Sequence, residues 1–326
     1  MLNPVIDRLA RNAFGVLLMA AAAAAMGQAY PTKPVRLVVP AAPGGGTDIT
    51  ARLIAPKLSE HLGQQVVVEN VGGGGGIIGM ERVARAVPDG YTLVMGISSL
   101  AINPHIVAKI SFDVLKDFAP VSQVAMVPNI LVAHPSVPAR TLRELIEHIR
   151  ARPGQINFAS SGIGSTPHLG MELFVSITGL KMVHVAYKGV GPAMVDVMAG
   201  HVPVMMANVL SVLPHINAGK LRAYGVTSLK RATVAPDVPT IAEAGVPGYE
   251  VVPWYGILAP ANTPRDIIAK LRAGTVYALQ DPATKERFIS DGAEPVGGTP
   301  EEFAAVIRDD FKKWGKVIKD AGISPQ

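Results

Sequence analysis

The 326-residue chain is long enough for two ordinary domains, and its 49% apolar and 17% charged content argues against extensive disorder. Lys plus Arg exceed Asp plus Glu by only 30 to 25, the excess is spread along the chain, and aromatic residues make up 5%. No basic cluster tracks a nucleic-acid backbone, so RNA or DNA is not an expected partner.

The first 29 residues read as a secretory signal peptide. Arg8 and Arg11 form a positive start, Ala13 to Met26 is a 14-residue apolar run, and small Gly27 and Ala29 precede Tyr30 at the −3 and −1 positions of a cleavage site. The run is too short for a bilayer span, and no later stretch approaches the ~20 apolar residues that one needs. With no cysteine anywhere, the exported chain carries neither disulfides nor a lipid-bearing thiol. The expected compartment is the bacterial periplasm, with the leader cleaved near Ala29.

From Lys33 onward apolar strands alternate with helices. KPVRLVVP reads as a strand, the turn APGGGTD follows, and ITARLIAPKLSEHL reads as a helix with Ile49, Leu53, Ile54, Leu58 and Leu62 on one face. QQVVVEN is the next strand, IIGMERVARA a short helix, and YTLVMGIS a strand after the turn at Pro88 to Gly90. Farther on come a helix after Thr141, strand INFASS, a helix after Thr166, strand MVHVAY, a helix after Pro192, and strands VPVMMAN and LRAYGVTS. Such near-continuous apolar strands indicate mostly parallel sheets flanked by helices. Thr141 with Glu144, Thr263 with Asp266 and Thr299 with Glu302 fit the capping-box pattern, and Trp314 falls on the apolar face of the last helix.

Two long extended segments, Val121 to Val132 and Tyr249 to Ala259, each carry a mid-segment proline, Pro128 and Pro253. They read as crossings between two α/β lobes, one built from residues 30–127 plus 253–326 and the other from 128–252.

Ligands in open α/β sheets gather at carboxyl ends of strands, beside helix N-termini. Three strand-to-helix turns there are rich in glycine and small hydroxyl residues: Pro40 to Asp48, Ala159 to His168 with Thr166 as helix cap, and Tyr187 to Pro192. Glycines expose consecutive N–H groups, so the first two turns can clamp an anion between the lobes without Lys or Arg, and a carboxylate suits that grip. Asp48 would repel such a ligand and is expected to cap the helix at Ile49 or orient its loop.

Val66 to Gly79 offers a rival signal, with G-x-G-x-x-G on Gly74, Gly76 and Gly79 as in a dinucleotide turn. The window ~20 residues on, Tyr91 to Ser99, holds no acid for a ribose hydroxyl, and exported proteins rarely meet free dinucleotides. The run therefore reads as a shaping turn near the cleft rim. Nucleophile-elbow, zinc-protease and phosphate-loop motifs are absent, and the eight histidines lack metal spacing. Ser161 and His168 form at most a weak hydrolase pair with no third member. No catalytic residue, metal or cofactor is expected.

PAAPGGGTDITAR, VVVENVGGGGGIIG, PDGYTL, FASSGIGSTPHL, YKGVGPAMVDVMAG, LPHINAGKLRAYGVTS, VPTIAEAG and WYGILAP occur in an order that resembles the periplasmic solute receptors of tripartite tricarboxylate transporters, the Bug receptors. The resemblance covers essentially the whole chain after Tyr30. It implies a two-lobe periplasmic-binding-protein fold, type 2 like, joined by two crossing strands, that closes on a small organic acid and presents it to membrane permease subunits, as a monomer. The acid would be a mono- or dicarboxylate, aromatic acids included. Ligand contacts implied on the first turn are Ala42, Pro43, Gly44, Gly45, Gly46, Thr47 and Asp48. On the second they are Ser160, Ser161, Gly162, Gly164, Ser165, Thr166 and His168, with Ser98, Tyr187, Asn208 and Trp254 completing the set.

The sequence departs from the family's VDVMFDN-like segment, where it reads VPVMMAN. Pro203 and Ala207 replace acidic residues, so with Met205, Met206, Trp254 and Tyr255 a less polar distal pocket is expected, suited to an aromatic or aliphatic acid. A secreted α/β hydrolase, an NAD-linked enzyme and a ligand-sensing subunit for a membrane signalling protein remain as alternatives.

Overall fold

The computed structural model describes residues 30–320; the expected signal peptide, 1–29, lies outside the described residues. The β-branched runs form two sheets, as their pleated, half-buried surfaces favour. The first contains β1 (Val35–Val39), β2 (Val66–Asn70), β3 (Thr92–Ile97), β4 (Phe118–Met126), β10 (Trp254–Pro260) and β11 (Glu294–Pro295), in the order β11-β4-β10-β3-β1-β2. The second contains β5 (Asn129–Ala133), β6 (Asn157–Ser160), β7 (Val183–Ala186), β8 (Val204–Asn208) and β9 (Arg222–Val226), in the order β7-β6-β8-β5-β9.

Both sheets are mixed rather than mostly parallel. β1 pairs in parallel with β2 and β3, and β6 with β7 and β8. Most antiparallel pairs come from the strands that pass between sheets, β10 against β3 and β4 and β5 against β8 and β9, and the short edge strand β11 adds one against β4. The chain leaves the first sheet after Met126 and joins the second at Asn129; it returns to the first at Trp254. The two passages touch at Val127, whose N–H donates to the Pro253 carbonyl at 2.9 Å. Pro128 and Pro253 have no N–H to extend that pairing into a ladder.

Helices follow strands as α1 (Gly46–Leu62), α2 (Ile77–Ala84), α3 (Ser99–Ile106), α4 (Leu142–Arg150), α5 (Thr166–Thr178), α6 (Val190–Met198), α7 (Val209–Asn217), α8 (Arg265–Gln280), α9 (Pro282–Ser290) and α10 (Pro300–Asp320). α3, α7 and α9 have no counterpart in the sequence reading; α3 and α7 each hold an internal proline, Pro104 and Pro214, that reads as a breaker. The capping box at α10 forms, Thr299 and Glu302 exchanging side chain-to-backbone bonds of 2.8 and 3.1 Å, while the one at α4 forms by half: Thr141 Oγ1 accepts from Glu144 N at 3.2 Å, but Glu144 Oε2 accepts from Arg140 N at 2.7 Å. The third does not, because Thr263 Oγ1 donates to the Pro260 carbonyl and α8 starts only at Arg265. Trp314 is buried on α10, as its position on the apolar face requires. Among the described residues no helix is long and apolar enough to cross a membrane.

Candidate functional site

The facing edges of the two sheets enclose a cavity of about 290 Å³. The first sheet supplies Pro40 to Ala42 and Gly45 to Thr47 after β1, Gly73 to Gly76 after β2, Ile97 and Ser99 at the end of β3, and Tyr255 from β10. The second supplies Ser161 to Ile163 and Ser165 to Pro167 after β6, Ala186 to Val190 after β7, Asn208 from β8 and Asn129 from β5.

Three helices begin on this cavity. α1 is capped by Gly45, α5 by Ser165 and α6 by Gly189. First-turn N–H groups have no intrahelical acceptor and carry partial positive charge, so their convergence favours an anion. The α5 cap is Ser165 rather than Thr166: Ser165 Oγ accepts from His168 N at 3.3 Å and donates to the Gly162 carbonyl at 2.7 Å. Thr166, now the first helical residue, and Ser161 have hydroxyls with no protein partner among the described residues, and both line the cavity. No acidic residue lines it; Lys188 is its one fully charged lining residue among those described.

The loops around the cavity meet closely. A Cβ on Gly46 would lie 2.6 Å from Asn208 Oδ1, one on Gly189 2.7 Å from the Ala42 Cβ, and one on Gly75 would overlap the Ile163 carbonyl oxygen. Gly73 through Gly76 all have positive φ, which glycine alone adopts freely. The glycine run is thus a wall of the cavity, in direct contact with the facing loop, and not merely a turn at its rim. Gly75 is further held by Ser99 Oγ and Asn103 Nδ2, which donate to its carbonyl at 2.9 and 3.3 Å.

Of the residues singled out from sequence, Ala42, Gly45, Gly46, Thr47, Ser161, Gly162, Ser165, Thr166, Tyr187 and Asn208 line the cavity. Others stand behind it. Asp48 accepts from Gly44 N at 3.0 Å, Arg52 Nε at 2.9 Å and Asn70 Nδ2 at 3.0 Å, which fixes the loop before α1. Burial opposes its charge, but the Arg52, Gly44 and Asn70 bonds outweigh that and hold its pKa below the usual carboxylate value. Asp48 is therefore not the helix cap but sits at its third residue, reaching back to Gly44. Pro43 and Gly44 complete that loop outside the cavity, and Pro43 presents its carbonyl toward Gly191.

Ser98 Oγ accepts from Trp254 N at 2.8 Å and is buried by it. Trp254 lies in the core: its Nε1 donates to Asp310 Oδ2 at 2.6 Å and its ring meets Phe303 edge-on at 5.1 Å, so it is no ligand platform. Met205 and Met206 are likewise core, with Tyr249 donating to the Met206 sulfur at 3.4 Å. The expected methionine-walled distal pocket does not form, because the β8 side chains fully buried there face helices. Tyr255 does reach the cavity; its hydroxyl accepts from Asn208 Nδ2 at 3.1 Å, and burial pushes its pKa up.

Behind the second loop, His168 and His184 stack at 3.9 Å. His168 Nδ1 accepts from Gly164 N at 3.3 Å, while His184 Nε2 lies 2.6 Å from Ser160 Oγ, which accepts from Gly162 N at 3.1 Å. Ser160, Gly164 and His168 thus brace the loop from the rear, Gly164 being packed against Asn103. Burial, and for His168 also the neighbouring His184, pushes the two imidazoles down to about 3 and about 4. Both are neutral near pH 7. His168 Nε2 faces Glu172 at 3.6 Å, and no hydrogen bond joins the ring to Ser161 among the described residues.

Residues 50–323 match the family described as tripartite tricarboxylate transporter family receptor. The chain belongs to that family. It is 41% identical to Protein BugT of Bordetella pertussis over 295 residues, 90% of each chain. Among solved structures, an R. palustris protein with adipate is 38% identical with a TM-score of 0.89, covering 91% of this chain and 100% of that one. MatC from Rhodopseudomonas palustris with bound malate is 33% identical with a TM-score of 0.84, covering 89% and 100%. As a member of the tripartite tricarboxylate transporter receptors, the protein is a periplasmic solute-binding protein and not an enzyme. The hydrolase and dinucleotide alternatives fall with that assignment.

Asn129, Ser99 and Gly73 to Gly76 line the cavity without being expected contacts from sequence, whereas Tyr255 is expected in the pocket and Lys188 to Val190 belong to the third glycine-rich turn. For Asn129 a signal existed: it is the polar residue that opens the otherwise apolar strand NILVA.

Proposed function

We propose that the protein binds one small organic carboxylate between lobes formed by residues 30–127 plus 253–326 and 128–252, and passes it to the permease subunits of a tripartite tricarboxylate-type transporter. The convergence of three helix N-termini on a cavity without acidic lining carries this reading. The donors come from both sheets, so a bound carboxylate would tie the lobes together, with the Val127–Pro253 contact as the pivot. Adipate and malate in two relatives support an aliphatic acid, and with both methionines in the core nothing in the cavity favours an aromatic one. Export would follow cleavage of residues 1–29 near Ala29.

The test is thermal unfolding with adipate, malate, citrate, glutamate and benzoate. A ligand that binds only the folded state raises stability by RT ln(1 + [L]/Kd), about 2.7 kcal/mol at a hundredfold excess over Kd. No shift with any of these acids would oppose the proposal.

A further inference from the structure

Asn129 begins β5 where the chain joins the second sheet, and its backbone is fully engaged. Its N–H donates to Thr227 Oγ1 at 2.9 Å and its carbonyl accepts from Thr227 N at 2.9 Å. That double tie fixes where the side chain points. The residue is 1% exposed, it lines the cavity, and its Nδ2 has no hydrogen-bond partner among the described residues. Native interiors rarely leave such a donor unpaired, because its desolvation is then uncompensated.

Its register partner, Asn208, is different. Asn208 Nδ2 donates to Tyr255 Oη and the Val127 carbonyl, and its Oδ1 accepts from Leu210 N at 3.1 Å. The Asn208 amide is committed to the protein; the Asn129 donor is left for a ligand. No carboxylate lines the cavity to receive an ammonium group, and the ligand group that would pair with the Asn129 Nδ2 donor is an acceptor oxygen.

Position says which oxygen. In the second sheet β5 lies two strands from β6, the strand that delivers Ser161 and Thr166. At ~4.8 Å per strand this sets the two strand ends roughly 10 Å apart, so Asn129 and the Ser161–Thr166 loop approach a ligand from different sides of the cavity. We propose that Asn129 is a specificity-determining residue whose Nδ2 binds a second oxygen acceptor of the ligand, a hydroxyl, oxo or second carboxylate group, at the hinge end of the cavity. This rests on the carboxylate-receptor reading above.

Calorimetric titration of the purified protein with adipate, hexanoate, malate and butyrate tests it. The unmodified protein is expected to prefer adipate to hexanoate, or malate to butyrate, by at least tenfold. Asn129→Leu, similar in shape but without the donor, should erase that preference, and Asn129→Asp should weaken the diacid still further. The apo Tm of Asn129→Leu should stay level or rise, since the variant buries no unpaired amide. An unchanged preference in Asn129→Leu, a preference absent from the unmodified protein, or an apo Tm that falls as for a core truncation would each overturn the inference alone. Binding of none of these four acids, together with no thermal shift for citrate, glutamate or benzoate, would overturn the receptor reading and the inference with it.

Discussion

Gly75 packs on the carbonyl of Ile163, so that a single added methyl group would occupy the position of that oxygen. The first residue belongs to the turn after β2, the second to the loop that holds Ser161 and Thr166, and the contact closes the cavity between the sheets. Gly75→Ala is expected to weaken ligand affinity at least tenfold by holding the cavity ajar. Its positive φ of 64° also adds strain, so Gly63→Ala is the control: Gly63 has φ 69° with nothing within 4 Å of the new methyl. Both variants should lose about 1 kcal/mol of stability. Only Gly75→Ala should lose affinity, as read by calorimetry; equal losses would remove the contact from the closing step.

Lys188 lines the cavity with an exposed side chain that has no ion-pair or hydrogen-bond partner among the described residues. A lone cation at the opening of an anion site acts chiefly on encounter. Lys188→Ala should slow ligand association several-fold at low ionic strength in stopped-flow measurements, with little change in dissociation. At 1 M salt, where the screening length shrinks to about 3 Å, the difference should vanish.

Asp48 does not line the cavity, yet it ties Gly44 of the first loop to Arg52 of α1 and Asn70 of β2. Asp48→Ala should cost about 1–3 kcal/mol of stability, the usual penalty for leaving buried partners unpaired, and should weaken ligand binding as the Gly44 loop loosens. Asp48→Asn keeps an acceptor for Gly44 N and should fall between. Denaturant unfolding and calorimetry check the order.

The stacked histidines predict a pH profile. Both folded-state values, about 3 and about 4, lie below the unfolded value of ~6.5, so the unfolded chain binds protons first. The stability due to their burial is complete above ~6.5 and is lost as pH falls toward the folded values, at up to ~1.4 kcal/mol per pH unit for each ring. Asp48, whose pKa is depressed, contributes stability above the ordinary carboxylate value of ~3.9 and loses it only at lower pH. His168→Asn, whose Oδ1 can replace Nδ1 as acceptor for Gly164 N, should flatten the decline between pH 6.5 and 4 by about one proton. A slope equal to that of the unmodified protein would contradict the neutral stacked pair.

Strands and their caps were legible because local chemistry decides them. VRLVV, VVVEN and TLVMGI are β-branched runs bounded by turn residues, and Thr141 and Thr299 announce their helices by accepting from the backbone three residues on. The anion turns were legible for the same reason. What escaped depends on distant partners. Pro104 and Pro214 look like breakers until neighbouring structure accepts a helix around them. An apolar run such as VMMAN does not say which of its residues reach a cavity, so Met205 and Met206 were assigned to the site while Asn129, opposite on the next strand, was not. The glycine run reads from sequence as a shaping turn near the cleft rim, but its contact with the Ile163 loop depends on a partner far along the chain.

The amides that begin α1, α5 and α6 belong to the main chain, which no substitution short of proline removes. On the proposed reading, side chains on the cavity floor, Asn129 among them, can therefore change one at a time while these amides keep their hold on an acid. Such a division lets a lineage of transport receptors diversify in cargo by small steps, each intermediate still able to capture an acid and close around it.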